Sequence, residues 1–126
     1  MESFSSFGEF FKSKRMEMGL TLREFCKEKG LDAGNISKLE RGLIPAPKGE
    51  MFREKYANLL GIEKGSDEWF MFCDLAAASA KIIPTDIAED KKLVEALPLF
   101  FRTVRNSGKK EKNLRELIEY IREQLK

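Results

Sequence analysis

The chain has no histidine among its 126 residues. That removes histidine triads, histidine-ligated metal sites and imidazole acid–base chemistry. Cysteine is nearly as scarce: Cys26 and Cys73 lie far apart in helix-like segments. Such usage indicates reduced thiols in a cytoplasmic protein rather than a disulfide framework. Apolar runs are only a handful of residues long, so no transmembrane helix fits. The opening MESFSSFGEFFKSKR lacks the basic-then-apolar order of a secretory signal. There is no glycine-rich phosphate loop and no metal-spaced cysteine cluster. We therefore expect no catalytic residues, no metal and no cofactor: the chain does not read as an enzyme. An excess of one charge is missing too, the 23 Lys+Arg and 21 Asp+Glu leaving only +2.

What is present is enough for a core. Hydrophobic residues make up 42% and charged residues 35%, which places the chain among ordinary globular domains. Divided along the chain, the near-neutral balance becomes uneven. Residues 1–62 carry 11 cations and 9 anions, residues 63–101 carry 4 and 8, and residues 102–126 carry 8 and 4. A mildly basic front and a basic tail therefore flank an acidic, apolar middle. That asymmetry lets one face meet nucleic acid while another meets protein.

Helical signals run throughout. Phe7, Phe10, Phe11, Lys14 and Met18 recur at spacings of three and four, with Ser5 or Ser6 as N-cap and Gly19 as stop. Thr21 caps a second helix with Glu24 three residues on, the capping-box pattern, and Gly30 ends it. Asp32 caps a short third helix through Ile36 and Leu39, stopped at Gly42. Pro45, Pro47 and Gly49 mark a loop. A fourth helix covers roughly Glu50–Leu60, and Ser66 caps a fifth running to about Lys81, apolar around much of its circumference. Pro84 breaks the chain. Two short helices are expected next, Ala88–Leu97 and Pro98–Val104, with Leu93, Leu97, Phe100 and Phe101 facing inward. A polar linker precedes a last amphipathic helix, Asn113–Lys126. No strand is predicted, so the fold class is all-α.

The string Arg15-Met-Glu-Met-Gly-Leu-Thr21, then Phe25-Cys26, Gly30-Leu31 and Ile36-Ser37-Lys38-Leu39-Glu40-Arg41-Gly42, resembles the Xre/Cro family of helix-turn-helix regulators. The resemblance covers about residues 7–62 and implies a five-helix lambda-repressor-like domain over 1–62, with the helix to about 81 joining its core. It further implies that the first turn of the third helix reads bases, making Ala33, Gly34, Ser37 and Lys38 the base-reading candidates. Thr21, Arg23, Asn35, Arg41 and Lys48 become phosphate candidates, and Arg15 with Glu40 a structural pair. Cys26 stands where the family usually has alanine, and Leu22 stands where it usually has glutamine.

Residues 63–126 then form a helical extension. Trp69, Phe70 and Phe72 offer aromatic surface for a dimer or partner. Leu114, Leu117, Ile118, Ile121 and Leu125 form a stripe over about two heptads, too short to stand alone and suited to a homodimer. The expected function is that of a dimeric, sequence-specific DNA-binding regulator on an inverted repeat of double-stranded DNA, an autorepressor or phage-type repressor. The alternative is an antitoxin or protease-regulated protein whose C-terminal half binds a toxin or metallopeptidase encoded nearby.

Overall fold

Seven helices form the described part of the chain, residues 6–106 and 115–116 of a computed structural model. They are α1 (Phe7–Glu17), α2 (Leu22–Lys29), α3 (Ala33–Glu40), α4 (Glu50–Leu59), α5 (Asp67–Ser79), α6 (Thr85–Ala88) and α7 (Lys91–Asn106). No strand occurs among the described residues, and the protein is all-α. None of these helices is long and apolar enough to cross a membrane. The expected stripe Leu114, Leu117, Ile118, Ile121 and Leu125 lies outside the described residues, save that Arg115 and Glu116 within that stretch are helical. Two units result, Met1–Pro84 and Thr85–Lys126.

Local chemistry explains the helix ends of the first unit. Ser6 accepts the Glu9 N–H at the head of α1 (3.2 Å), and Ser66 accepts the Trp69 N–H at the head of α5 (3.1 Å). Thr21 and Glu24 exchange both capping-box hydrogen bonds, Glu24 N–H to Thr21 Oγ1 and Thr21 N–H to Glu24 Oε1. Gly30 closes α2 in the left-handed region (φ 70°), a conformation that costs other residues energy. The chain can thus turn sharply into α3.

The core of this unit is aromatic. Phe10, Phe11, Phe25 and Phe72 are fully enclosed, and Phe7, Phe52 and Tyr56 complete a network with ring centroids 4.5–6.3 Å apart. Rings at these separations gain beyond their burial through edge-to-face and offset contact. Cys26 is buried between the helices, and that burial pushes its thiol above the ordinary value. It stays protonated and inert at neutral pH.

Three expectations are corrected. Phe72 is not available to a partner: it is a core ring, wedged against Phe7, Phe10 and Phe52, because α5 packs across α1 and α4. Met18 is exposed as the α1 C-cap, and the buried face of α1 ends instead on Arg15. The stretch around Pro98 is one helix, not two, and Leu93, Phe100 and Phe101 are exposed. Proline removes a single N–H from the ladder at a cost of about 3 kcal/mol; the apolar spacing runs through it uninterrupted.

Candidate nucleic-acid interface

The helix α3 is eight residues long and divides cleanly by face. Ile36 and Leu39, three apart, are buried, whereas Ala33, Gly34, Asn35 and Lys38 are exposed and Ser37 is half-buried. Asp32 Oδ2 accepts the Asn35 N–H at 2.8 Å, which satisfies one of the orphan donors of the first turn. At Gly34 an added Cβ would meet only that capping carboxylate, at 3.3 Å. The bare backbone there is not required by packing within the chain.

The opposite end of α3 is anchored twice. The Arg15 guanidinium grips the Glu40 carboxylate through Nε (2.8 Å) and Nη2 (2.9 Å), while Nη1 donates to the Leu20 carbonyl at 2.8 Å. The hydrogen bonds it donates to Glu40 hold the guanidinium above its ordinary value, against the opposing effect of burial. The second anchor is Gly8, which lies against the last carbonyls of α3. A Cβ at Gly8 would fall 2.5 Å from the Glu40 oxygen and 2.6 Å from that of Leu39. The buried face and C-terminal end of α3 are therefore fixed to α1, and its N-terminal turn is left open.

The other predicted residues lie on the segments that precede and follow this helix in the chain. Thr21 and Arg23 are exposed at the start of α2, and Arg41 is exposed at the α3 C-cap, where its Nε donates to the Ser37 carbonyl (3.3 Å). Lys48 is exposed in the loop before α4. None of the ion pairs among the described residues engages Arg23, Lys38, Arg41 or Lys48. Lys27 joins this set. It is exposed one turn after Arg23 on α2, and the i, i+4 spacing of the two cations was the signal for it. Trp69 is half-buried and stacked on Phe72 (6.3 Å), so Phe70 alone of the three α5 aromatics is exposed.

Comparison with models of protein families, with curated proteins and with solved structures finds no match for this chain.

Electrostatics separate the scaffold from the open surface. Burial pulls the Lys14 ammonium down, but Glu68 and Glu17 outweigh it and hold it above its usual value, tying α1 to α5. The Thr21 N–H holds the Glu24 carboxyl below the usual range. A carboxyl lowered by folding contributes stability above its unfolded value, and that contribution disappears as pH falls through the folded one.

The loop bearing Lys48 is pinned by a contact that no local sequence signal announced. Ser79 Oγ, near the end of α5, accepts the Ala46 N–H at 2.9 Å, and Ala46 is buried between Pro45 and Pro47. Ser79→Ala leaves that N–H without its acceptor. The expected loss is about 1–2 kcal/mol, read as a lower denaturant midpoint with an unchanged m-value.

Proposed function

We propose that this chain is a DNA-binding transcriptional regulator of the Xre/Cro helix-turn-helix type, in which α2 and α3 form the helix-turn-helix and α3 enters the major groove. The observation that carries the reading is the two-ended character of α3. Its C-terminal half is locked by Arg15, Glu40 and Gly8, and its first turns expose Ala33, Gly34, Asn35 and Lys38. A helix that reads bases needs such a rigid seat and an open N-terminal face. Lys38 suits the acceptors of guanine, Ala33 suits a thymine methyl, and the bare Gly34 permits close approach of backbone to DNA. The exposed Thr21, Arg23, Asn35, Arg41 and Lys48 serve phosphates on either side. Two copies on an inverted repeat supply the rest of the affinity, and the reading assigns no catalysis or cofactor.

The experiment is titration of labelled duplex from the chain's own upstream region, monitored by fluorescence anisotropy at several salt concentrations. Binding is expected to weaken steeply with salt. Lys48→Ala lowers affinity for all sequences and reduces the salt slope by about one. Lys38→Ala instead relaxes preference at one base position, a discrimination of about 1–3 kcal/mol. Absence of any binding at low salt overturns the reading.

One observation favours the second reading, a regulator that also binds a protein such as a toxin or peptidase. Phe70 stands exposed on α5, with the exposed Asp67 three residues before it on the same face. An exposed aromatic beside a carboxylate suits a basic partner.

A further inference from the structure

A groove of about 570 Å³ lies on the first unit, walled by the start of α1, the end of α3 with the chain after it, and the end of α5. That volume falls within the roughly 300–1,000 Å³ of small-molecule sites. Its lining is largely apolar: Phe7 and Leu39 are buried, Ile44 and Leu75 half-buried and Leu43 exposed. None of the thirteen lining residues is acidic, and Lys81 alone among them carries a charge.

Lys81 also stands apart by its backbone. Its φ is 59°, and it is the one residue other than glycine with positive φ among the described residues. It follows the α5 C-cap Ala80, in a turn where Ala80, Lys81 and Ile82 donate their N–H groups to the carbonyls of Ala76, Ala78 and Ala77. Glycine is the ordinary residue at such a helix end, and any side chain there costs energy. Strain kept at one position directs attention to what its side chain supplies. Here that is an ammonium, which none of the ion pairs among the described residues engages. Ser79, which also lines the groove, adds a donor: its Oγ accepts the Ala46 N–H at 2.9 Å, and its O–H hydrogen is left to donate.

We propose that this groove binds a small apolar carboxylate. The apolar chain lies on Phe7, Leu39, Ile44 and Leu75, and the carboxylate meets the Lys81 ammonium and the Ser79 hydroxyl. Three features select that chemistry. Apolar walls disfavour a sugar, whose hydroxyls would lose water without gaining partners. A cation with no carboxylate beside it on the lining favours an anion over an amine. One cation matches one negative charge, which leaves the several charges of a nucleotide unmatched. The negative end of the α5 dipole is blunted by the three hydrogen bonds that close the helix. The site does not depend on the DNA reading.

Octanoate is the probe, titrated into the full chain by calorimetry and by amide NMR. Saturable binding of one molecule is expected, with a dissociation constant on the order of 100 µM. The amide signals of Gly42, Leu43, Ser79 and Ala80 should shift together. Octan-1-ol should bind about three- to tenfold more weakly, and octylamine more weakly still. Lys81→Gly relieves the turn, so the melting temperature should hold or rise while octanoate affinity falls about three- to tenfold. Its affinity for octan-1-ol should not change, and Lys81→Arg should keep the affinity for octanoate. Leu43→Asp, at an exposed position that the fold tolerates, should weaken octanoate at least about tenfold by setting an anion in the groove. Octanoate binding indifferent to Lys81→Gly overturns the proposal, as does an octylamine affinity equal to that of octanoate. So does uptake that never saturates, a set of shifts confined to α7, or no binding at about 5 mM, well above the expected constant.

Discussion

Gly8→Ala should destabilise the first unit by about 2–4 kcal/mol, although alanine is ordinarily the better helix former. Gly8 is the second residue of α1, and its Cα lies directly over the end of α3. The added methyl would sit 2.5 Å from the Glu40 oxygen and 2.6 Å from the Leu39 oxygen. Both are backbone atoms at the end of a helix, so no side-chain rotation relieves the contact. Either α1 or α3 must move, and each also carries enclosed phenylalanines or the buried Ile36 and Leu39. Close-packed interiors resist such shifts. Thermal unfolding followed at 222 nm is the measurement, and a drop on the order of 10–20 °C is expected. A change of under about 0.5 kcal/mol would mean that α1 and α3 are not in this close approach.

The control is the other helical glycine among the described residues. Gly34→Ala meets only the capping carboxylate of Asp32 at 3.3 Å, at the far end of a flexible side chain. Its expected effect on the fold is a gain of up to about 1 kcal/mol from helix propensity. On DNA the sign should reverse, because a methyl then occupies the space where the backbone of α3 would approach the groove. Stabilised protein with weakened DNA binding is the combined result expected of Gly34→Ala; equal or tighter binding would show that this turn does not approach DNA closely.

These two glycines also show where the sequence was legible and where it was not. Caps were readable because Ser6, Thr21 with Glu24, Asp32 and Ser66 act within three residues of themselves. Gly30 was readable as a turn for the same reason. Gly8 carried no such signal, since its neighbour is more than 30 positions away in sequence, and the Ser79–Ala46 bond is equally non-local. The aromatic cluster Trp69-Phe70-Met71-Phe72 reads as a sticky surface in one dimension. Only the packing of α5 across α1 and α4 decides that Phe72 turns inward and Phe70 outward. Around Pro98 the local rule pointed the wrong way: proline's lost N–H suggested a break, but the amphipathic spacing on both sides continues one helix. Local capping rules therefore served the placement of α2 and α3 well and served the unit after Pro84 poorly.

The second large effect concerns the clamp under α3. Arg15→Met alone should cost about 3–5 kcal/mol, because it leaves the Glu40 carboxylate nearly enclosed with its charge partner gone. Glu40→Leu alone should cost a similar amount, with the guanidinium stranded between Leu20 and an apolar neighbour. The side chains of the pair are only 8% and 6% exposed, so water does little to rescue either charge. Replacing both removes the two charges together. The double variant should then lose about 1–2 kcal/mol, chiefly from the Leu20 carbonyl that no longer receives the Arg15 N–H. Urea titrations of the four proteins complete a double-mutant cycle with an expected coupling of at least about 4 kcal/mol, the two single losses less the double. Additive losses would show that the two groups do not act as a pair. DNA binding provides the second readout. If the clamp seats a recognition helix, the double variant should remain folded at 25 °C and still lose discrimination between its own site and unrelated duplex. A methionine facing a leucine fills volume without fixing direction, whereas the bidentate bond of Arg15 to Glu40 aligns the end of α3 along a single axis. Fold stability and base discrimination would then separate within one pair of residues, as expected if Arg15 and Glu40 orient α3 more than they stabilise the domain.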